Sequence, residues 1–133
     1  MWTRFMDMYS GGRRKEKFAY AYIEAPEKEA IVIFYNRFGH NPNRVSCSCC
    51  GKDYSISEET TLEQATGFER GCDWVNSEYV EHARSSTFGN MRYQTLEQYT
   101  ANANESVLVI RAEDIKPDEK VGTVPKQGYV WLA

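Results

Sequence analysis

Long apolar runs are missing from this sequence. The longest, Ala30–Tyr35, is six residues, far short of the roughly 18 needed to span a bilayer, so no membrane partner is expected. Histidine is scarce: His40 and His82 are the 2 in 133 residues, which leaves little for acid–base chemistry near neutral pH. Proline, at 4 residues, and glycine, at 9, are too few for a collagen-like or low-complexity chain. Basic charge is not in excess either. Lys and Arg total 16 against 19 Asp and Glu, a formal charge of −3, whereas a DNA or RNA coat needs a basic face. A local basic pocket remains compatible with that balance. The opening Met1–Met8 has no signal-peptide core and carries Asp7 early, so a cytosolic location is expected. There the 4 cysteines read as thiols or metal ligands rather than disulfides.

What is present is a good stock of core-forming residues. Aromatics make up 14 % and apolar residues 41 % of the chain, enough for one buried core, and 1–133 reads as a single domain. Residues 2–9 read as a strand with Trp2, Met6 and Met8 on one side and Phe5 and Tyr9 on the other. Ser10–Lys17 is a glycine-rich, basic loop. Phe18–Glu24 has aromatics at period two and reads as a strand with Phe18, Tyr20 and Tyr22 on one face. Ala25-Pro26 opens a helix whose face is Ala30, Ile31, Phe34 and Phe38, ended by Gly39 as a left-handed cap. Arg44–Cys47 and Tyr54–Ser57 read as two short strands around a tight turn. Thr60 and Glu63 have capping-box spacing for a second helix running to Gly71. The tetrapeptide TLEQ recurs at 61 and 95 and marks two helix starts. Ser106–Ile110 is the best candidate for a buried central strand, and Tyr129–Leu132 for a final one. Residues 73–94 carry no readable pattern. The expected class is α+β, a mostly antiparallel sheet of five or six strands with two or three helices.

Four groups of residues could carry chemistry. Cys47 and Cys50 have C-x-x-C spacing followed by Gly51, the geometry of a zinc knuckle. Cys72 is the natural third ligand, and Cys49, His40 or His82 the fourth, for a structural zinc. The alternative is ordinary reduced thiols packed as small hydrophobes. Arg13 and Arg14, after Gly11-Gly12, could bind an anion through guanidinium forks and backbone N–H groups. The bland alternative is a solvated loop tip. Phe88, Asn90 and Arg92 would suit a nucleobase by stacking, edge reading and phosphate contact, or would simply fringe the core. Arg111, directly after the apolar run, either emerges at a pocket or pairs with Glu113 or Asp114. No nucleophile, acid and base can be assembled from these motifs, so an enzyme is not expected.

The blocks MWTRFMDM with SGG, FYNRFGHNPNRVSCSCCGKDYSISE, TLEQATGFERGC, and VLVIRAEDIKP with QGYVW resemble a group of small proteins encoded by tailed phages and prophages. The resemblance covers most of the chain and is weakest over residues 73–94. It implies expression in the cytoplasm of an infected bacterial host and supplies no mechanism; a small phage protein with no catalytic constellation is expected to act by binding, and immune evasion is one such role. The chain is also similar to the Thoeris anti-defence sponges, oligomers that hold cyclic signals in pockets between chains. That resemblance implies a homo-oligomer sequestering a cyclic nucleotide or cyclic ADP-ribose-type signal without turnover. The alternative is a zinc-stabilised, anti-CRISPR-like protein–protein inhibitor of a host defence complex.

Overall fold

The computed structural model describes residues 1–47, 51–68, 96–101 and 106–126. The strand β1 (Trp2–Asp7) is buried or half-buried at all six positions, so it needs a neighbour on each edge and cover on each face. It pairs antiparallel with β2 (Tyr20–Ile23), where Phe5 lies opposite Ala21. On its other edge it pairs antiparallel with β3 (Tyr54–Glu59), where Phe5 lies opposite Ile56. The strand β4 (Val107–Ile110) runs parallel to β2, with Ile110 opposite Ile23. The order across the sheet is β3-β1-β2-β4.

Side chains alternate across the sheet at period two, and two cores result. On one face, Phe5, Ala21, Ile23, Tyr54 and Ile110 pack under the helix α1 (Glu27–Phe38) through Ala30, Ile33 and Phe34. The Phe34 ring centroid lies 4.8 Å from those of Phe5 and Phe38 and 5.0 Å from that of Tyr54. Carboxylates Glu27 and Glu29 sit in the first turn of α1, where the helix dipole favours them. Gly39 ends α1 at φ 83°, donating its N–H to the Tyr35 carbonyl, the cap expected from the sequence. On the other face, Trp2, Tyr22, Val107 and Val109 pack against Ala65 of α2 (Leu62–Thr66) and Tyr99 of α3 (Leu96–Tyr99). Two buried phenols meet there, with Tyr22 Oη and Tyr99 Oη 2.9 Å apart.

The class is α+β as expected, but the sheet differs in detail. Four strands lie among the described residues, and the β2–β4 pair makes the sheet mixed. The run ending at Ile110 is buried, yet β4 is the outermost described strand on its side rather than a central one. Arg44–Cys47 is not a strand. The segment folds instead around the fully buried Asp53 carboxylate, which accepts from Ser46 N (3.1 Å), Ser46 Oγ (2.6 Å) and Arg44 Nε (3.3 Å). Those bonds satisfy polar groups that a strand ladder would otherwise have to pair. Phe18 precedes β2 and turns into the α1 core, away from Tyr20 and Tyr22. The capping box is one residue later than the spacing suggests. Gln64 N donates to Thr61 Oγ1, and Gln64 Oε1 accepts from both Thr60 N and Thr61 N, each at 3.2 Å. A glutamine carbonyl serves this role as well as a carboxylate does, so Thr60–Glu63 was one of two compatible frames. Gly67, at φ 82°, ends α2 short of the expected Gly71. The expected strand at Tyr129–Leu132 and the stretch 73–94 lie outside the described residues. Among the described residues no helix is long and apolar enough to cross a membrane.

The segment after Ile115 forms a strap over α1. A 3-10 turn, Pro117–Lys120, places Glu119 where Arg37 Nε and Nη2 donate to it at 2.9 and 2.8 Å. Asn36 Nδ2 donates to the carbonyls of Glu119 and Val121, and Asn41 Nδ2 to that of Pro125.

Two measurements check this account. Burial pushes the Tyr22 phenol up to about 12 and raises that of Tyr99 as well, so both are protonated at neutral pH. Tyr22→Phe leaves the Tyr99 hydroxyl buried and unpaired, and is expected to cost about 1–3 kcal/mol in urea unfolding. The Tyr22→Phe/Tyr99→Phe double variant is expected to cost less than the two single variants added together. The forked bond from Arg37 holds Glu119 at about 2, below the ordinary 4.5. A depressed carboxylate stabilises the fold above its unfolded value, so this contribution is full above about pH 5 and fades as pH falls from there toward 2. Glu119→Gln is expected to flatten that part of the acid-unfolding curve.

Candidate functional site

The site grows from the ends of two parallel strands. Glu24 follows β2, and its N–H donates to the Ile110 carbonyl at the end of β4. Its carboxylate reaches back across the same end, Oε1 accepting from Ala112 N at 3.0 Å. Ala112 opens a 3-10 turn, Ala112–Asp114, so β4 stops at Ile110 and Arg111 is presented at the strand end. The Arg111 guanidinium carbon lies 5.9 Å from the centroid of the Trp2 ring. Trp2 is itself 7 % exposed and belongs to the second core. A cation over an indole face is held by the ring quadrupole, so the guanidinium has a defined station above a fixed wall.

A cleft of about 480 Å³ opens beside this pair, lined also by Glu24, Thr60, Thr61, Leu62, Glu63, Leu96, Glu97 and Thr100. The size is within the range of small-molecule sites. Among the described residues, three glutamates and one arginine line it, so this lining offers many acceptors and one guanidinium donor. Two of its hydroxyls are already engaged. Thr61 Oγ1 accepts from Gln64 N as a helix cap, and Thr100 Oγ1 donates to the Leu96 carbonyl at 2.7 Å. Such an arrangement can receive N–H and O–H donors from a ligand on its acidic rim and take one anionic group at Arg111, which Trp2 holds in place.

The sequence-predicted residues do not all converge here. Arg111 does, and its carbonyl accepts from Asp114 N while its side chain goes to Trp2 rather than to Glu113 or Asp114. Arg13 and Arg14 follow the far end of β1. By the rise of a six-residue strand that end is about 17 Å from Trp2, so they cannot share a small ligand with Arg111. Arg14 Nε donates to Tyr9 Oη at 2.7 Å and its Nη1 to the Lys17 carbonyl at 3.0 Å. Phe88, Asn90 and Arg92 lie outside the described residues, as do Cys49, Cys50, Cys72 and His82. Cys47 is half-buried and forms an isolated bridge with Gly51. His40 packs edge-on to Phe34 and over Tyr54, and its Nε2 faces Glu16 Oε2 at 3.2 Å. Among the described residues, no three His, Cys, Asp or Glu side chains are placed to hold a metal ion.

Glu24, Trp2, Glu63 and Glu97 went unnoticed as site residues, although one signal was visible. The repeated TLEQ places Leu62-Glu63 and Leu96-Glu97 at equivalent positions of two short helices, and both pairs line the same cleft. Trp2 and Glu24 carry no local signal, because only the strand pairing brings them beside Arg111.

No family model, curated protein or solved structure matches this chain. The wall and the cation of the cleft are separable by mutation. Trp2→Ala removes a core side chain and is expected to cost about 3–5 kcal/mol in urea unfolding. Arg111→Met keeps the packing stem and is expected to change stability by less than about 1 kcal/mol, which makes it the variant of choice for binding measurements.

Proposed function

We propose that this protein is a phage-encoded binding protein that sequesters a nucleotide-type defence signal in the infected bacterium and holds it without turnover. The ligand class is a cyclic nucleotide or a cyclic ADP-ribose derivative. The observation that carries the reading is the Arg111–Trp2 pair at a cleft with an acidic rim. A nucleoside suits that lining. Base amino groups and ribose hydroxyls are donors for Glu24, Glu63 and Glu97. Arg111 is the natural partner of one phosphate. Among the described residues the cleft has one guanidinium, and this limits the ligand. Burying a second phosphate among three carboxylates would be repulsive, so any further phosphate has to face out of the cleft. A homo-oligomer in which another copy receives that phosphate fits this division of charge. Holding without turnover is supported by two of the three threonine hydroxyls of the cleft, those of Thr61 and Thr100, which are tied into helix ends rather than poised as nucleophiles.

Native mass spectrometry of the protein, incubated with cyclic di- and trinucleotides and cyclic ADP-ribose isomers, tests this directly. The expected spectrum is an oligomer carrying unmodified nucleotide in stoichiometric amount, with at least a tenfold loss of occupancy, about 1.4 kcal/mol, in Arg111→Met. A zinc-bearing monomer that takes up none of the ligands would sink the reading and favour a zinc-stabilised inhibitor of a host protein complex.

A further inference from the structure

The loop between β1 and β2 holds a strained residue in the open. Tyr9 sits at φ 55° and ψ 32° and is the one non-glycine with positive φ among the described residues. A side chain with a Cβ resists that conformation, and local bonds over-determine it here. Asp7, 6 % exposed, accepts from Tyr9 N at 2.7 Å and from Lys15 N at 2.8 Å. Gly12 N donates to the Tyr9 carbonyl at 2.8 Å. The Lys15 ammonium bonds the carbonyls of Ser10 and Arg13 at 2.6 and 2.8 Å.

This framework buries nothing of what it displays. The Tyr9 side is 48 % exposed and Met8 beside it 46 %. Open space surrounds Gly11 and Gly12, and Arg13, Arg14 and Lys17 are exposed around them. Exposed Lys52 adjoins, because Ser10 Oγ donates to its carbonyl at 3.2 Å. Among the described residues the acidic groups nearby are engaged: Asp7 by the loop backbone, Glu16 by His40, and Asp53 by Arg44 and Ser46. A strained, rigid, exposed aromatic ringed by cations is an arrangement that core packing does not require.

We propose that the Met8–Lys17 loop is a preformed docking surface for an acidic polypeptide segment. Tyr9 is its aromatic anchor, and Arg13, Lys17 and the outer nitrogen of Arg14 are its carboxylate partners. Tyrosine and arginine are the side chains that dominate such contacts, and a surface held rigid before binding loses little entropy on docking. Nucleic acid fits less well. The chain as a whole carries a net charge of −3, whereas a long polyanion needs a basic face that extends beyond one loop. The loop also offers one exposed aromatic, where single-strand binders use a succession of stacking platforms.

Fluorescence anisotropy of the full chain with a labelled, short Glu-rich peptide tests the proposal, with a single-stranded oligothymidylate of equal length as the second probe. Saturable binding of the peptide is expected, tighter than that of the oligonucleotide and weakened by added salt. Tyr9→Gly and Arg13→Glu are each expected to weaken it about tenfold. Glycine relaxes the left-handed position, so Tyr9→Gly is expected to melt no lower than the parent while binding worse, a result that misfolding cannot produce. Absence of saturable peptide binding, tighter oligonucleotide binding, or undiminished binding by Tyr9→Gly would each overturn the proposal.

Discussion

The register of β1 against both neighbours is the constraint from which the rest of the molecule follows. Phe5 faces Ala21 on one side and Ile56 on the other, so a single row across three strands sets the floor of the α1 core. A slip of one residue would send Phe5 to the opposite face and bring Arg4 or Met6 under Phe34. The same register puts Trp2 at the end of the sheet where Arg111 emerges, and Asp7 at the end where the basic loop begins. Both surfaces that carry a functional reading therefore hang on one six-residue strand, at its two ends.

Carboxylates do much of the organising away from the sheet. Asp7 and Asp53, both buried, gather backbone and side-chain donors at the base of two loops. Glu24 ties the ends of β2 and β4, and Glu119 pins the strap to α1. In each case an anion takes the place of repetitive backbone pairing, which lets irregular segments lie against the core without orphaned N–H groups. The net negative charge of the chain is thus partly inward structure, and the exposed charge is more uneven than composition suggests.

Much of this was legible in the sequence, and the failures share a cause. The aromatic alternation of Tyr20 and Tyr22, the Pro26 and Gly39 boundaries of α1, and the apolar run before Arg111 are local patterns, and they gave the right elements. Pairing partners are not local. Nothing in Arg44–Cys47 says that Asp53 will draw its donors away from a ladder, and nothing near Pro117 says that Arg37 will hold the tail. The cleft was partly legible: Arg111 had a pocket as one of its two expected places, and the repeated TLEQ marked two helix starts without marking a site, while Trp2 and Glu24 join it only through sheet register. Phe88, Asn90, Arg92, Cys50 and Cys72, the most chemically specific expectations, fall outside the described residues.

The parallel pairing of β2 with β4 has a consequence for the birth of the protein. Ile23 and Ile110 are neighbours in space but 87 positions apart in the chain. At a synthesis rate of about 5–20 residues per second, the inner strand waits roughly 4–17 seconds with its free edge unzipped before its mate leaves the ribosome. Through that interval the nascent chain carries Tyr20–Ile23 as an open template for any passing strand. Loop closure over so long a span is also slow. Codon usage, chaperone capture and crowding between neighbouring nascent chains therefore all act on the yield of native protein during that interval.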